Sequence, residues 1–257
     1  MDLHKGIVKT NEYIQDKYYH LRIACDGLAK TVKEGQIIFI RCSPLADPLL
    51  RRPFSIYRFD EKTGEISLVY ILKGKGTEIM RDLKPGDELD LLGPAGRPYP
   101  IGEGTGPIGI LARGVGIASV VSVAERARKE GRHVSAILSG RNPEAVLAVD
   151  FLEEIGCQVF SVNDAAETSG KEHVMDLLEK SMQEHQIKQL FTCGSNRMAA
   201  WVQEISRKYE VDAYVSLEER MACGIGICYG CTCETKKGYQ RVCQDGPVFP
   251  IEEVVKL

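Results

Sequence analysis

Five cysteines crowd between Cys223 and Cys243, and no other feature restricts the fold of this chain so tightly. Cys223, Cys228 and Cys231 are spaced C-x4-C-x2-C, and Cys243 follows after eleven intervening residues. That is the plant-type spacing for a [2Fe–2S] cluster. Two irons need four thiolates, and a loop carrying three with a fourth returning from a distance supplies them. Gly224, Gly226 and Gly230 let the backbone curl around such a cluster and turn N–H groups toward its sulfurs. Structural zinc is the competing reading. Zinc sites normally pair their ligands two and two, whereas here three are grouped and one stands apart. Cys233 alternates with Cys231 and would face the other side of an extended strand. It is therefore expected as a buried neighbour of the cluster, with Cys243 returning on a strand after a hairpin near Lys237-Gly238.

The other four of the nine cysteines, Cys25, Cys42, Cys157 and Cys193, are scattered singly and read as small core residues. The N-terminal segment is polar and has no signal-peptide core, so a cytoplasmic location is expected and disulfides are not. Lys and Arg total 33 against 36 Asp and Glu, a net charge of -3. That balance offers no electrostatic grip on nucleic acid or an acidic membrane surface. No apolar run approaches the roughly 18 residues of a membrane span. His4, His20, His133, His173 and His185 are isolated and show no metal-ligand spacing, and Trp201 reads as core.

At 257 residues the chain is near the ceiling for one core, so more than one domain is expected. Residues 1–99 carry six strand-like segments, rich in β-branched and aromatic residues and separated by turn signals such as Lys84-Pro85-Gly86-Asp87. They predict a small antiparallel β-barrel with one short helix from Gly76 to Leu83. A Pro/Gly-rich joint from Tyr99 to Gly106 follows. Residues 100–215 then alternate strand and helix, the pattern of an α/β domain with a parallel sheet. Its helices are predicted at Ala118–Gly131, Pro143–Ile155, His173–His185 and Asn196–Tyr209. Residues 216–257 form the cysteine-rich third part.

Within the barrel, Arg52-Pro53-Phe54-Ser55 opens a strand. The Arg can pair with a pyrophosphate, the Pro sets the turn, and the Ser can bond a flavin ring edge. Val69-Tyr70-Ile71 lies on a neighbouring strand, and Gly74-Lys75-Gly76-Thr77 opens the short helix, where free amides can meet phosphate. By itself the four-residue motif is weak; its setting ahead of an α/β domain makes it a flavin signature.

A barrel of this kind followed by a nucleotide domain resembles the ferredoxin reductase family. LLRRPFSIY, GKGTEIM, DLLGPAG, SLEERMACGIGICYGC and RVCQDGPVF narrow the likeness. They resemble the electron-transfer subunits of type B dihydroorotate dehydrogenases over nearly the whole chain. The resemblance implies FAD, one [2Fe–2S] cluster and NAD(H) as electron donor or acceptor. It also implies a separate FMN-containing catalytic subunit, in a hetero-oligomer of heterotetramer type, acting in pyrimidine biosynthesis. Carried over, FAD would touch Arg52, Pro53, Phe54, Ser55, Val69, Tyr70, Ile71, Gly76 and Thr77, and the cluster would bind Cys223, Cys228, Cys231 and Cys243. No catalytic acid–base pair for dihydroorotate is present, so that chemistry would lie in the partner. A hydride donor delivers two electrons and the cluster takes one, and a flavin reconciles the two.

The likeness weakens at the nucleotide loop. The family pattern G-G-G-x-G, often followed by Pro, reads Ala112-Arg113-Gly114-Val115-Gly116 here, with Ser119 where the Pro is expected. Gly114 and Gly116 remain as candidate dinucleotide contacts. Ala112 is expected to crowd the pyrophosphate. Arg113 would bind a phosphate or block the groove, and Arg141 would meet a 2′-phosphate or lie solvated in its loop. Ser195 stands where the family usually has Pro. These departures keep an alternative open, a related flavin–iron–sulfur subunit of NAD(P)H:ferredoxin or sulfide dehydrogenase type.

Overall fold

The computed structural model describes residues 1–102 and 106–257. The Tyr99–Gly106 joint therefore lies partly outside the described residues. Period-two segments from the first part form β1 (Asp2–Gln15), β2 (Tyr18–Ala24), β3 (Ile37–Arg41), β4 (Arg52–Ser55), β5 (Arg58–Asp60), β6 (Glu65–Ile71) and β7 (Glu88–Ala95). Two short helices interrupt them, α1 (Asp26–Ala29) and α2 (Lys75–Arg81). The strands pair antiparallel in the order β4-β3-β7-β1-β2-β6-β5. The result is a curled half-barrel of seven strands, not six, because the predicted segment 52–59 breaks into β4 and β5. β7 alternates buried and accessible residues along its length, as a sheet with one wet face requires. Leu21, Ile23, Ile38, Ile40, Leu68 and Leu91 fill the interior.

The second part builds β8 (Ile108–Arg113), α3 (Val121–Lys129), β9 (Val134–Gly140), α4 (Val149–Glu154), β10 (Gln158–Asn163), α5 (Lys171–His185), β11 (Gln189–Cys193), α6 (Asn196–Tyr209) and β12 (Asp212–Ser216). Its sheet runs β10-β9-β8-β11-β12, all parallel. β9 is buried throughout, as expected of a strand covered on both faces. The order reverses direction between β8 and β11, and a crevice opens there beyond the carboxyl ends of the strands.

The tail adds the hairpin β13 (Thr232–Thr235) and β14 (Gly238–Arg241), then β15 (Val248–Pro250). β15 pairs antiparallel with β12 and completes a six-stranded sheet. The cysteine-rich part is thus sewn into the α/β part. Among the described residues three ion pairs join the half-barrel to the α/β part: Arg58–Glu125, Glu34–Arg126 and Asp16–Arg141. Among the described residues no helix is long and apolar enough to cross a membrane.

Three local expectations need correction. The helix expected at Pro143–Ile155 is a 3-10 turn at Pro143–Ala145 and the separate α4, split where Ala148 takes a left-handed φ of 64°. The helix expected to start at Ala118 begins as a 3-10 turn over Gly114–Ser119 before α3. Cys243 sits in a turn past the end of β14, not on the strand. There its amide donates to Cys231 Sγ at 3.4 Å.

Candidate functional site

One cavity of about 390 Å³ lies between the half-barrel and the tail, and all nine of the sequence-predicted flavin residues line it. β4 contributes Arg52 to Ser55, the end of β6 contributes Val69 to Ile71, and the first turn of α2 contributes Gly76 and Thr77. Three features suit this space to a flat ring with an anionic tail. Ile37, Pro53, Val115 and Met221 supply apolar wall. Arg52, Lys73 and Lys75 supply positive charge. The first-turn amides of α2 have no intrahelical acceptor. Thr77 Oγ1 fixes the turn, accepting from the amides of Lys73 and Gly74 at 3.0 and 3.2 Å. At Gly76 a Cβ would stand 3.2 Å from Arg52 Cγ and 3.3 Å from Cys42 Sγ, so the bare backbone lets the Arg lie across the helix start. These residues fit FAD.

A second, smaller cavity of about 270 Å³ opens at the carboxyl ends of the parallel strands. Tyr18, Arg113, Gly114, Gly116, Arg141 and Gly194 are among its walls. Gly114 has a φ of +52°, and a Cβ on Gly116 would come within 2.5 Å of Gly194 Cα. Both retained glycines are therefore demanded by the backbone. Ala112 is not on this surface. It is buried inside β8, opposite Leu138 and Cys193, so the expected crowding of a phosphate does not arise. Arg113 leaves the strand end sideways. Its guanidinium donates to Ser139 Oγ at 2.7 Å and to Gly140 O at 3.3 Å, and pairs with Asp164. It is part of the cavity wall. Ser195 caps α6, accepting from Met198 N at 3.3 Å, which gives the departure from Pro a structural use.

The tail cysteines come close to one another. Cys228 lies beside Cys223, Cys231 lies beside Cys243, and Cys223 is near enough to act on the Cys243 thiol. Burial pushes the Cys223 thiol up, but donors from Cys228, Ile225 and Ile227 outweigh it and lower it to about 6. Burial and the Cys231 side chain raise Cys243 to about 12. Among the described residues no three His, Cys, Asp or Glu side chains gather around a single metal position. The four thiols, three on one loop and Cys243 in the turn after β14, would suit a binuclear cluster better than mononuclear zinc, whose ligands are normally grouped two and two. Cys233 is not among these four. It lies on β13 opposite Gln240, packs against the core, and is raised to about 11 by burial. Ile227 and Tyr229 at the loop tip are 73% and 63% exposed.

Two features escaped the sequence reading. Glu218 lines both cavities, and burial raises its carboxyl. Its only sequence signal is its place in SLEERMACG, five residues before Cys223. His133 and His185, isolated in sequence, stack with ring centroids 3.7 Å apart.

Residues 218–255 match the iron–sulfur cluster binding domain of dihydroorotate dehydrogenase B. The electron transfer subunit of dihydroorotate dehydrogenase B (NAD(+)) from Bacillus caldolyticus is 32% identical over 256 residues, covering 96% of each chain. Its counterpart from Caldanaerobacter subterraneus subsp. tengcongensis is 34% identical, covering 98% of each. A solved NADH-dependent reduced ferredoxin-NADP oxidoreductase superposes with a TM-score of 0.84 at 25% identity, covering 97% of this chain and 89% of that one. A ferredoxin-NADP+ reductase from Plasmodium falciparum, at 17% identity and a TM-score of 0.64, shares the fold over 80% of this chain and 90% of its own. On relatives matched along almost their full length, the chain belongs to the family of dihydroorotate dehydrogenase B electron transfer subunits.

Proposed function

We propose that this protein carries electrons between NAD(H) and the FMN of a dihydroorotate dehydrogenase catalytic subunit, through FAD and one [2Fe–2S] cluster, in pyrimidine biosynthesis. The observation that carries this is the meeting of the two parts. The cavity holding the flavin-signature residues also has Ser216, Glu218 and Met221 in its wall, and that segment leads directly to Cys223. When bound, FAD would supply the exchange between two-electron hydride chemistry and one-electron transfer to the cluster.

The protein's own residues have separable tasks in this reading. Arg52 and the first turn of α2 hold the pyrophosphate, while Pro53, Phe54, Ser55 and Val69 to Ile71 orient the ring. Cys223, Cys228, Cys231 and Cys243 hold the cluster. Gly114 and Gly116 keep the crevice open for the dinucleotide. Ile227 and Tyr229 offer an apolar tip to the catalytic subunit in a hetero-oligomer. The divisions 1–99, 100–215 and 216–257 follow these three tasks.

Anaerobic titration of the purified protein with NADH tests the reading. Stoichiometric bleaching of the flavin is expected, followed by the signal of a reduced [2Fe–2S] cluster. Reduction of both centres by dithionite but by neither NADH nor NADPH would overturn the dinucleotide assignment. The likeness to the NADH-dependent reduced ferredoxin-NADP oxidoreductase favours one second reading, a subunit of that kind. Co-purification with a ferredoxin-linked partner in place of an FMN subunit would select it.

A further inference from the structure

Two guanidiniums line the smaller cavity, and their surroundings differ. That of Arg113 is committed: Ser139, Gly140 and both oxygens of Asp164 occupy it, and its side chain is only 21% exposed. Among the described residues that of Arg141 has one ion-pair partner, Asp16, and its side chain is 51% exposed. Asp16 lies outside the cavity wall, in the tight turn between β1 and β2, with a φ of +52°. The Asp16–Arg141 pair thus runs from the half-barrel to the loop after β9, with its Arg141 end in the wall of the crevice. Tyr18, two residues past Asp16, lines the same crevice, and its hydroxyl lies 3.4 Å from where a Cβ on Gly114 would stand.

Resting on the dinucleotide reading above, we propose that Arg141 is the phosphate-binding residue of this crevice and that Asp16 is its exchangeable counterion. An arriving nucleotide takes Arg141 from Asp16, and the carboxylate turns out to water. An Arg with a single partner keeps most of its five N–H donors for a ligand, whereas using Arg113 would first require breaking its contacts to three neighbours. Charge competition sets the direction: Asp16 lowers affinity for anions by satisfying Arg141 in the free protein. The phosphate is either the pyrophosphate shared by both dinucleotides or the 2′-phosphate of the phosphorylated one.

Calorimetric titration of the flavin- and cluster-loaded protein with 5′-ADP and 2′,5′-ADP tests this without relying on turnover. Arg141→Gln is expected to weaken binding about tenfold, the loss typical of one charge-assisted contact. Asp16→Asn is expected to tighten it several-fold, since Asn keeps the turn's left-handed backbone but not the charge. In the Arg141→Gln background, Asp16→Asn should change nothing. Loss confined to 2′,5′-ADP identifies the 2′-phosphate as the ligand, and equal loss with both identifies the 5′-phosphates. If the unmodified protein binds nucleotide and neither substitution alters the affinity, the counterion proposal falls and the dinucleotide crevice stands. If neither the unmodified protein nor Asp16→Asn binds any nucleotide, the crevice assignment falls with it.

Discussion

At the scale of single residues, the four tail thiols make a prediction that separates cluster ligands from their neighbour. Replacing Cys223, Cys228, Cys231 or Cys243 by Ser is expected to abolish the visible absorption of the cluster and its reduced-state resonance signal. Cys233→Ser is expected to keep both, because that residue lies on β13 opposite Gln240 and packs against the core. Loss of the cluster in Cys233→Ser with retention in Cys243→Ser would reverse the assignment. Spacing alone made the four candidates legible. It did not show Cys243 meeting Cys231, since that depends on how the chain folds back after β14. Nor did spacing show that Ala112 points into the core while Arg113 runs along the sheet edge. A one-residue step along a strand reverses the side a residue faces, and the register was set by pairing with β9 and β11.

Among the elements, the junction of β4 with α2 bears the greatest functional weight. Arg52 lies across the start of α2 because Gly76 has no side chain to exclude it. If Arg52 holds the pyrophosphate as proposed, Arg52→Ala removes a charge-assisted contact worth about 1.5–3 kcal/mol. FAD affinity is expected to fall about ten- to hundredfold, read by flavin retention on gel filtration. Retention equal to that of the unmodified protein would place the pyrophosphate elsewhere. Element boundaries were legible where local signals agreed. α6 runs over Asn196–Tyr209 as predicted, with Ser195 as its cap and Glu210 in the left-handed conformation at its end. They were not legible at residues 143–155, where the composition is helical throughout. There Ala148 adopts a positive φ that no local residue type announces.

For the whole molecule, two half-buried imidazoles predict a pH dependence of stability. Burial lowers the pKa of His133, with the stacked His185 and Arg128 adding to the shift and Gln158 opposing it. Burial likewise lowers His20, aided by Arg22 and Arg58 and opposed by Glu12. Below the ordinary histidine value of 6.5 the unfolded chain binds protons that these folded sites resist. Each depressed site therefore contributes stability that is present above pH 6.5 and is lost as pH falls below it. Urea unfolding at pH 7.5 and 5.5 should show a smaller acid loss in His133→Gln than in the unmodified protein. An identical loss in both would remove His133 as a contributor. The pair was invisible in sequence because its members meet only when α5 packs across the start of β9.

The sequence by itself determined the parts: a strand-rich first third, an alternating α/β middle, a cluster loop, and the residues of the flavin signature. These follow from local chemistry, namely side-chain periodicity, turn residues and ligand spacing, which act over a few positions. Tertiary structure decided how the parts meet. β15 returns to the parallel sheet, so the cluster loop is anchored beside the flavin-signature cavity. Asp16 finds Arg141 across 125 positions of chain. Glu218 comes to border both cavities. Such contacts depend on the packing of one sheet against another, and packing is set by the sum of many buried side chains. No short stretch of sequence carries that sum.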